Sequence, residues 1–262
     1  VGVLKVLERE GVTVGRLAGT SMGALIAAGM ASGASALEIE AEMLRLSHRR
    51  ELLKLADRLP TRQGLFSGRR LRSALAETLG EGLTFSDLQI PLTVTAVDLV
   101  SGRDLVMRTG SVVEAVRASL SIPGVYAPVE RDGCRLVDGG VLNNVPAAPL
   151  QELGSGPVVA VDALPAFADN VPGHDPRITG FPLPLVPGVV RDLWQTGLIM
   201  VSALTEARLH AAAPELVLRP QLPADVTLLV GFTRAAELIA AGEAAAEQAL
   251  PELLALYRGS ST

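Results

Sequence analysis

Cysteine is almost absent: Cys134 stands alone in 262 residues. No intramolecular disulfide can form, and no cysteine zinc cluster. That suits a reducing, cytoplasmic setting. Histidine is scarce too. His48, His174 and His210 are scattered along the chain, so neither a metal nor any other cofactor is expected. Lysine occurs only at Lys5 and Lys54, which leaves arginine to supply nearly all the positive charge. Aromatic residues make up 3% and the formal net charge is -5. A chain of that composition lacks the basic footprint that neutralises a phosphate backbone, so a nucleic-acid partner is not expected. Long apolar runs are missing as well. The nearest, Phe181 to Leu204, is broken by Pro182, Pro184, Pro187, Arg191 and Asp192, and a span needs roughly 20 apolar residues. No signal-peptide pattern is visible. The first residue is Val1 and not Met, so a piece of a longer protein is expected.

Apolar residues are plentiful, at 48%, enough for a substantial core without staples. Val3, Leu4, Val6 and Leu7 fall at helical spacing, and Gly11 stops that helix. A strand is predicted from Val12 to Ala18, then a turn at 19–23 and a buried Ala-rich helix from Ala24 to Ala31. Helices follow at Ala36 to Leu46 and Gly68 to Leu79, with a loop from Arg58 to Ser67. Strands are predicted from Ile90 to Leu99 and from Asp104 to Thr109. Ser111 and Glu114 have capping-box spacing ahead of a helix reaching Ser119. Short strands are read at 135–137, 158–162, 215–218 and 226–229. A Pro- and Gly-rich loop is expected over 165–187, and helices over 192–211 and 233–257. Strands alternating with helices argue for one α/β domain, three-layered α/β/α, around a mostly parallel sheet.

The segment Gly19-Thr20-Ser21-Met22-Gly23 matches G-x-S-x-G between an apolar strand and a helix. A nucleophile there sits on a sharp turn. Side chains two residues before and after it are expected to collide with that turn, which favours Gly19 and Gly23. The helix directs its N-terminal N–H groups toward Ser21. The Met22 N–H is the natural oxyanion donor. The competing reading is a Gly-rich turn with an incidental serine, or a phosphate site.

A serine nucleophile needs a base. His48 adjoins Arg49 and Arg50 on an exposed helix, and His210 lies near a helix end. His174, in the Pro-rich loop beside Asp175, is held in reserve. Asp138-Gly139-Gly140 ends a short apolar strand, and two glycines let backbone approach closely. On its own this is also an ordinary Asp-Gly turn, and that reading has the stronger claim.

Five segments together resemble the patatin-like phospholipase family, in the family's order and over nearly the whole chain. They are Gly2-Val3-Leu4-Lys5-Val6-Leu7-Glu8, Gly19 to Ala24, Val97-Asp98-Leu99 with Ser101-Gly102-Arg103, Arg117-Ala118-Ser119 with Ile122 to Val129, and Val137 to Val141 with Asn143-Asn144-Val145-Pro146. The resemblance implies a Ser21–Asp138 dyad without histidine, Gly139 and Gly140 shaping the aspartate loop, and an acyl-enzyme intermediate. The substrate it implies is a phospholipid or other fatty-acyl ester. It also implies a single domain over 1–262 that lacks the family's N-terminal strand and glycine-rich oxyanion loop. Phe181 to Pro187, leading to Leu193 and Trp194, could border the acyl pocket or make peripheral contact with a membrane surface, against ordinary core packing beneath a helix, which has the stronger claim. Arg49, Arg50, Arg69, Arg70 and Arg72 read as solvated helix faces, with anionic headgroups as the alternative. A Ser-His-Asp esterase and a non-catalytic protein that keeps the fold stay open as alternatives.

Overall fold

A computed structural model describes residues 1–57, 64–164, 188–223 and 231–259. In chain order the elements are α1 (Gly2–Arg9), β1 (Leu17–Gly19), α2 (Met22–Ala31), α3 (Ala36–Leu46), α4 (Arg49–Leu55), α5 (Arg69–Leu79), β2 (Leu92–Asp98), β3 (Arg103–Met107), α6 (Val112–Ser119), β4 (Val129–Arg131), β5 (Cys134–Asp138), α7 (Ala147–Gln151), β6 (Val159–Val161), α8 (Gly188–Ala212), β7 (Leu216–Leu218), α9 (Ala235–Gln248) and α10 (Leu250–Gly259).

The α/β architecture read from the sequence is present, but the main sheet is mixed. β1 runs parallel to β2, whereas β2–β3, β2–β5 and β4–β5 are antiparallel. The physical reason is connection length. The turn between β2 and β3, and the one between β4 and β5, are too short for the helical crossover that a parallel pair requires. Every residue of β2 is buried, as expected of a strand covered on both faces. β6 and β7 pair in parallel as a second, two-stranded sheet.

The pairings of β2 fix the geometry of the site. β3 occupies one edge of β2 from Val94 to Asp98. β1 pairs with Leu92 to Val94, and β5 pairs with Ala96 to Asp98. Both must therefore share the opposite edge, one beyond the other. They run toward each other: Gly19 lies beside Val94 and Asp138 beside Ala96. Two residues of β2 span about 7 Å. The C-terminal ends of β1 and β5 thus converge on a gap at Thr95.

Three apolar clusters support this frame. The largest joins α2, α5 and α6 to β2, β3 and β5. A second gathers α1, α9 and α10 with Leu218 of β7, and a third packs α7 and α8 against β6. In α2, apolar on all sides, Ala24, Leu25, Ala27, Ala28 and Ala31 are buried, as an all-round apolar helix requires.

Several boundaries differ from the sequence reading. The strand predicted from Val12 begins only at Leu17. The next pairing outward would be Arg16 with Pro91, and proline has no N–H for the ladder. The helix predicted over 233–257 divides at Ala249, two residues before Pro251, whose ring cannot be accommodated in a helix interior. α8 starts four residues earlier than read. Ser111 accepts the Glu114 N–H as expected, but the Glu114 carboxylate turns to Arg72, so only half the capping box forms. A complete box forms instead at Ser35 and Glu38. The whole of the Pro-rich loop read at 165–187, residues 58–63 and the strand read at 226–229 lie outside the described residues.

Candidate active site

Ser21 ends the β1-to-α2 turn with φ 54° and ψ -125°. A residue carrying a Cβ in so sparsely populated a region costs on the order of 1–3 kcal/mol and needs support from its surroundings. Part of that support is glycine at 19. A Cβ there would lie 2.4 Å from the Gly23 carbonyl oxygen and 2.6 Å from the Ala24 nitrogen. The steric expectation fails at Gly23, where an added Cβ would meet open space. Gly23 is exposed in the first turn of α2, so the side chain it lacks would project into solvent and not into the turn.

The Ser21 hydroxyl donates to Asp138 Oδ2 at 2.6 Å. The two residues lie 117 positions apart in the chain and meet because β1 and β5 end face to face. Oδ1 of Asp138 accepts the Gly140 N–H at 2.8 Å, so both carboxylate oxygens are engaged. Asp138 is 7% exposed. Burial raises its pKa from the ordinary 3.8 to about 6, and the bonds from Ser21 and Gly140 only partly offset that rise.

Asp98, across the β2–β5 pairing, shows the opposite environment. It accepts bonds from Ser101 and from the backbone N–H groups of Arg135 and Val100. These hold its carboxyl well below the usual carboxylate range. It is a turn-forming carboxylate fully committed to local donors.

Gly139 and Gly140 are both close-packed. A Cβ on Gly139 would fall 2.5 Å from Thr95 Oγ1. One on Gly140 would lie 3.1 Å from Asp138 Oδ1 and from the Asn144 side chain. Thr95 fills the gap between β1 and β5. Thr20 Oγ1 donates to the Asn143 carbonyl at 2.8 Å, and its single proton is thereby used. Thr95 must therefore be the donor in the 2.7 Å bond between Thr95 and Thr20. That chain ties the serine turn to the aspartate loop through β2.

The Met22 N–H, at the N-terminus of α2, has no hydrogen-bond acceptor among the described residues. It is free to meet an anionic oxygen. Ser119 Oγ accepts the Ser21 N–H at 2.7 Å. The sequence reading missed Ser119 and Thr95 as site residues. The serine of Arg117-Ala118-Ser119 stood only inside a resembling segment, and nothing local tells what it faces.

The histidines are placed elsewhere. His48 stands at the N-cap position of α4, its ring nitrogen bonded to the Leu44 and Arg45 carbonyls at the end of α3 and not to α4. His210 is exposed near the end of α8, and His174 lies outside the described residues. Arg72, one of the arginines considered for headgroups, is held by Glu81 and Glu114.

Residues 1–150 match the family model described as patatin-like phospholipase. The chain belongs to the patatin-like phospholipase family. Its curated relatives include an uncharacterized NTE family protein of Mycobacterium bovis, 31% identical over 68% of this chain and 49% of that protein. The neuropathy target esterase of Drosophila melanogaster is 30% identical over 62% of this chain and 12% of that protein. A patatin-like phospholipase domain-containing protein of Caenorhabditis elegans is 30% identical over 69% of this chain and 14% of that protein. The chain thus spans about half the length of the first of these patatin-like relatives, and much less of the other two. No described helix is long and apolar enough to cross a membrane.

Proposed function

We propose that this patatin-like chain is a lipid acyl hydrolase working through a Ser21–Asp138 dyad. The observation that carries the reading is the 2.6 Å bond from the Ser21 hydroxyl to a buried carboxylate whose pKa is raised to about 6. Family membership supports the hydrolysis of lipid esters. A base with that pKa is ionised at neutral pH yet more basic than a solvated aspartate, which is the balance general-base catalysis needs.

In the proposed reaction Asp138 takes the Ser21 proton as Oγ attacks the ester carbonyl carbon. The carbonyl oxygen becomes an oxyanion and meets the Met22 N–H at the positive end of α2. The intermediate collapses, the alcohol departs with the proton held by Asp138, and an acyl group remains on Ser21. Asp138 then takes a proton from water as the water attacks that acyl carbon. The acyl–Oγ bond breaks, Ser21 Oγ takes the proton back from Asp138, and the fatty acid is released.

The same reading puts the substrate in a lipid surface, with peripheral contact by this chain. The exposed Val189, Leu193 and Met200 of α8 support it. Leu193→Ser should lower co-sedimentation with phospholipid vesicles, and unchanged sedimentation removes this part of the reading.

The test is a fluorophosphonate probe combined with hydrolysis of a fatty-acyl ester. A single adduct is expected on Ser21, with adduct and turnover both lost in Ser21→Ala. An unlabelled, inactive wild-type chain, or turnover that persists in Ser21→Ala, overturns the proposal.

A further inference from the structure

The end of α6 and the two residues that follow it touch both members of the Ser21–Asp138 pair through their backbones. Ser119, the final residue of α6, has no exposed surface, and its Oγ accepts the Ser21 N–H at 2.7 Å. Two residues on, the Ser121 carbonyl accepts the Asp138 N–H at 3.0 Å. One buried tripeptide, 119–121, therefore sets where each residue of the pair begins.

The tripeptide is itself anchored. Arg117 Nη1 donates to Ser121 Oγ at 2.6 Å, and Ser121 Oγ donates back to the Arg117 carbonyl at 3.0 Å. The rest of the buried guanidinium donates to the carbonyls of Gly68 at 3.1 Å, Ser67 at 3.1 Å and Ala127 at 3.3 Å. It also lies 5.4 Å from the centre of the Tyr126 ring. A cation at the C-terminal end of α6 complements the helix dipole. Room for it comes from Gly68, where a Cβ would fall 1.8 Å from Arg117 Nη2.

As the N-cap residue of α2, Ser21 has no intrahelical carbonyl for its part-buried N–H, which therefore needs an acceptor from elsewhere. Ser119 Oγ supplies that acceptor and does so from a buried helix end. We propose that Ser119 is a positioning residue that holds the Ser21 backbone in its strained form and so keeps the hydroxyl on Asp138. This rests on the Ser21–Asp138 reading. Ser119 touches no reacting atom; it acts through the main chain of Ser21.

The experiment compares wild type, Ser119→Ala and Ser119→Thr in kcat and KM for a fatty-acyl ester, with the exchange rate of the Ser21 amide proton read by NMR. A misplacement of about 1 Å can cost about 100-fold in rate. Ser119→Ala should therefore lose about 10- to 100-fold in kcat with KM within about twofold, and its Ser21 amide should exchange faster. Ser119→Thr keeps the acceptor and should recover most of the loss. If the added methyl unfolds this buried site, Ser119→Cys replaces it and should fall between alanine and wild type. Wild-type kcat in Ser119→Ala overturns the proposal, as does a lowered melting temperature with kcat unchanged. So does a folded threonine variant no better than alanine or, where threonine unfolds the site, a cysteine variant no better than alanine. If the wild-type chain turns over no ester, the functional reading fails by itself. The exchange rates then judge Ser119 alone, and an unchanged Ser21 amide in Ser119→Ala rejects it.

Discussion

A carboxylate buried against a hydroxyl must lose its proton before it can act as a base. For Asp138 burial opposes that loss and sets its pKa near 6. Turnover is expected to rise with pH through about 6 and then level off, as a pH series of kcat/KM will show. The linked effect on stability has the opposite direction. Folded Asp138 holds its proton more tightly than the unfolded chain does. Its contribution is therefore most favourable below about pH 4 and is lost as pH rises through 6. A rise from 3.8 to about 6 is worth about 3 kcal/mol. Asp138→Asn, which has no charge to bury, should unfold at higher urea than wild type at pH 8, by up to about 3 kcal/mol. That gap should close below pH 4. A variant less stable than wild type at pH 8 contradicts the burial account of this carboxylate. At this scale the sequence was legible only in part. Ser21 announces itself by its turn, because glycine spacing and flanking elements are local. Asp138 does not, since an Asp-Gly-Gly turn is common and only the resemblance singled it out. Ser119 and Thr95 could not be read at all, because their partners lie 98 and 75 residues away.

The decisive feature among the elements is that β1 and β5 meet along one edge of β2. Element types were largely visible from periodicity: α1, α3, α5 and α6 stand close to where spacing placed them. The mixed sheet was not, because strand direction depends on which edges meet and not on local pattern. Proline at 91 and at 251 also cut elements short, although both were visible as residues. The Thr95–Thr20–Asn143 chain is what closes the gap between the two strand ends. Removing either hydroxyl leaves a buried polar group without its partner, at about 1–3 kcal/mol. Thr20→Val and Thr95→Val should each destabilise by that amount. Together they should cost less than the sum, since they break one shared chain. Strict additivity in urea unfolding contradicts a coupled clamp.

At the scale of the whole molecule, three apolar clusters among the described residues hold a mixed sheet that brings the Ser21 hydroxyl against the Asp138 carboxylate. The order of the motifs along the chain gave the family, and the structure supplies the distance. The most direct test takes wild type, Asp138→Asn and a triple variant with His48, His174 and His210 all changed to alanine. Each is given the same fluorophosphonate probe, and the rate of adduct formation on Ser21 is measured. The triple histidine variant should label at the wild-type rate, while Asp138→Asn should be slower by at least about 100-fold. Labelling that survives Asp138→Asn, or that vanishes with the histidines, contradicts a serine activated by that aspartate.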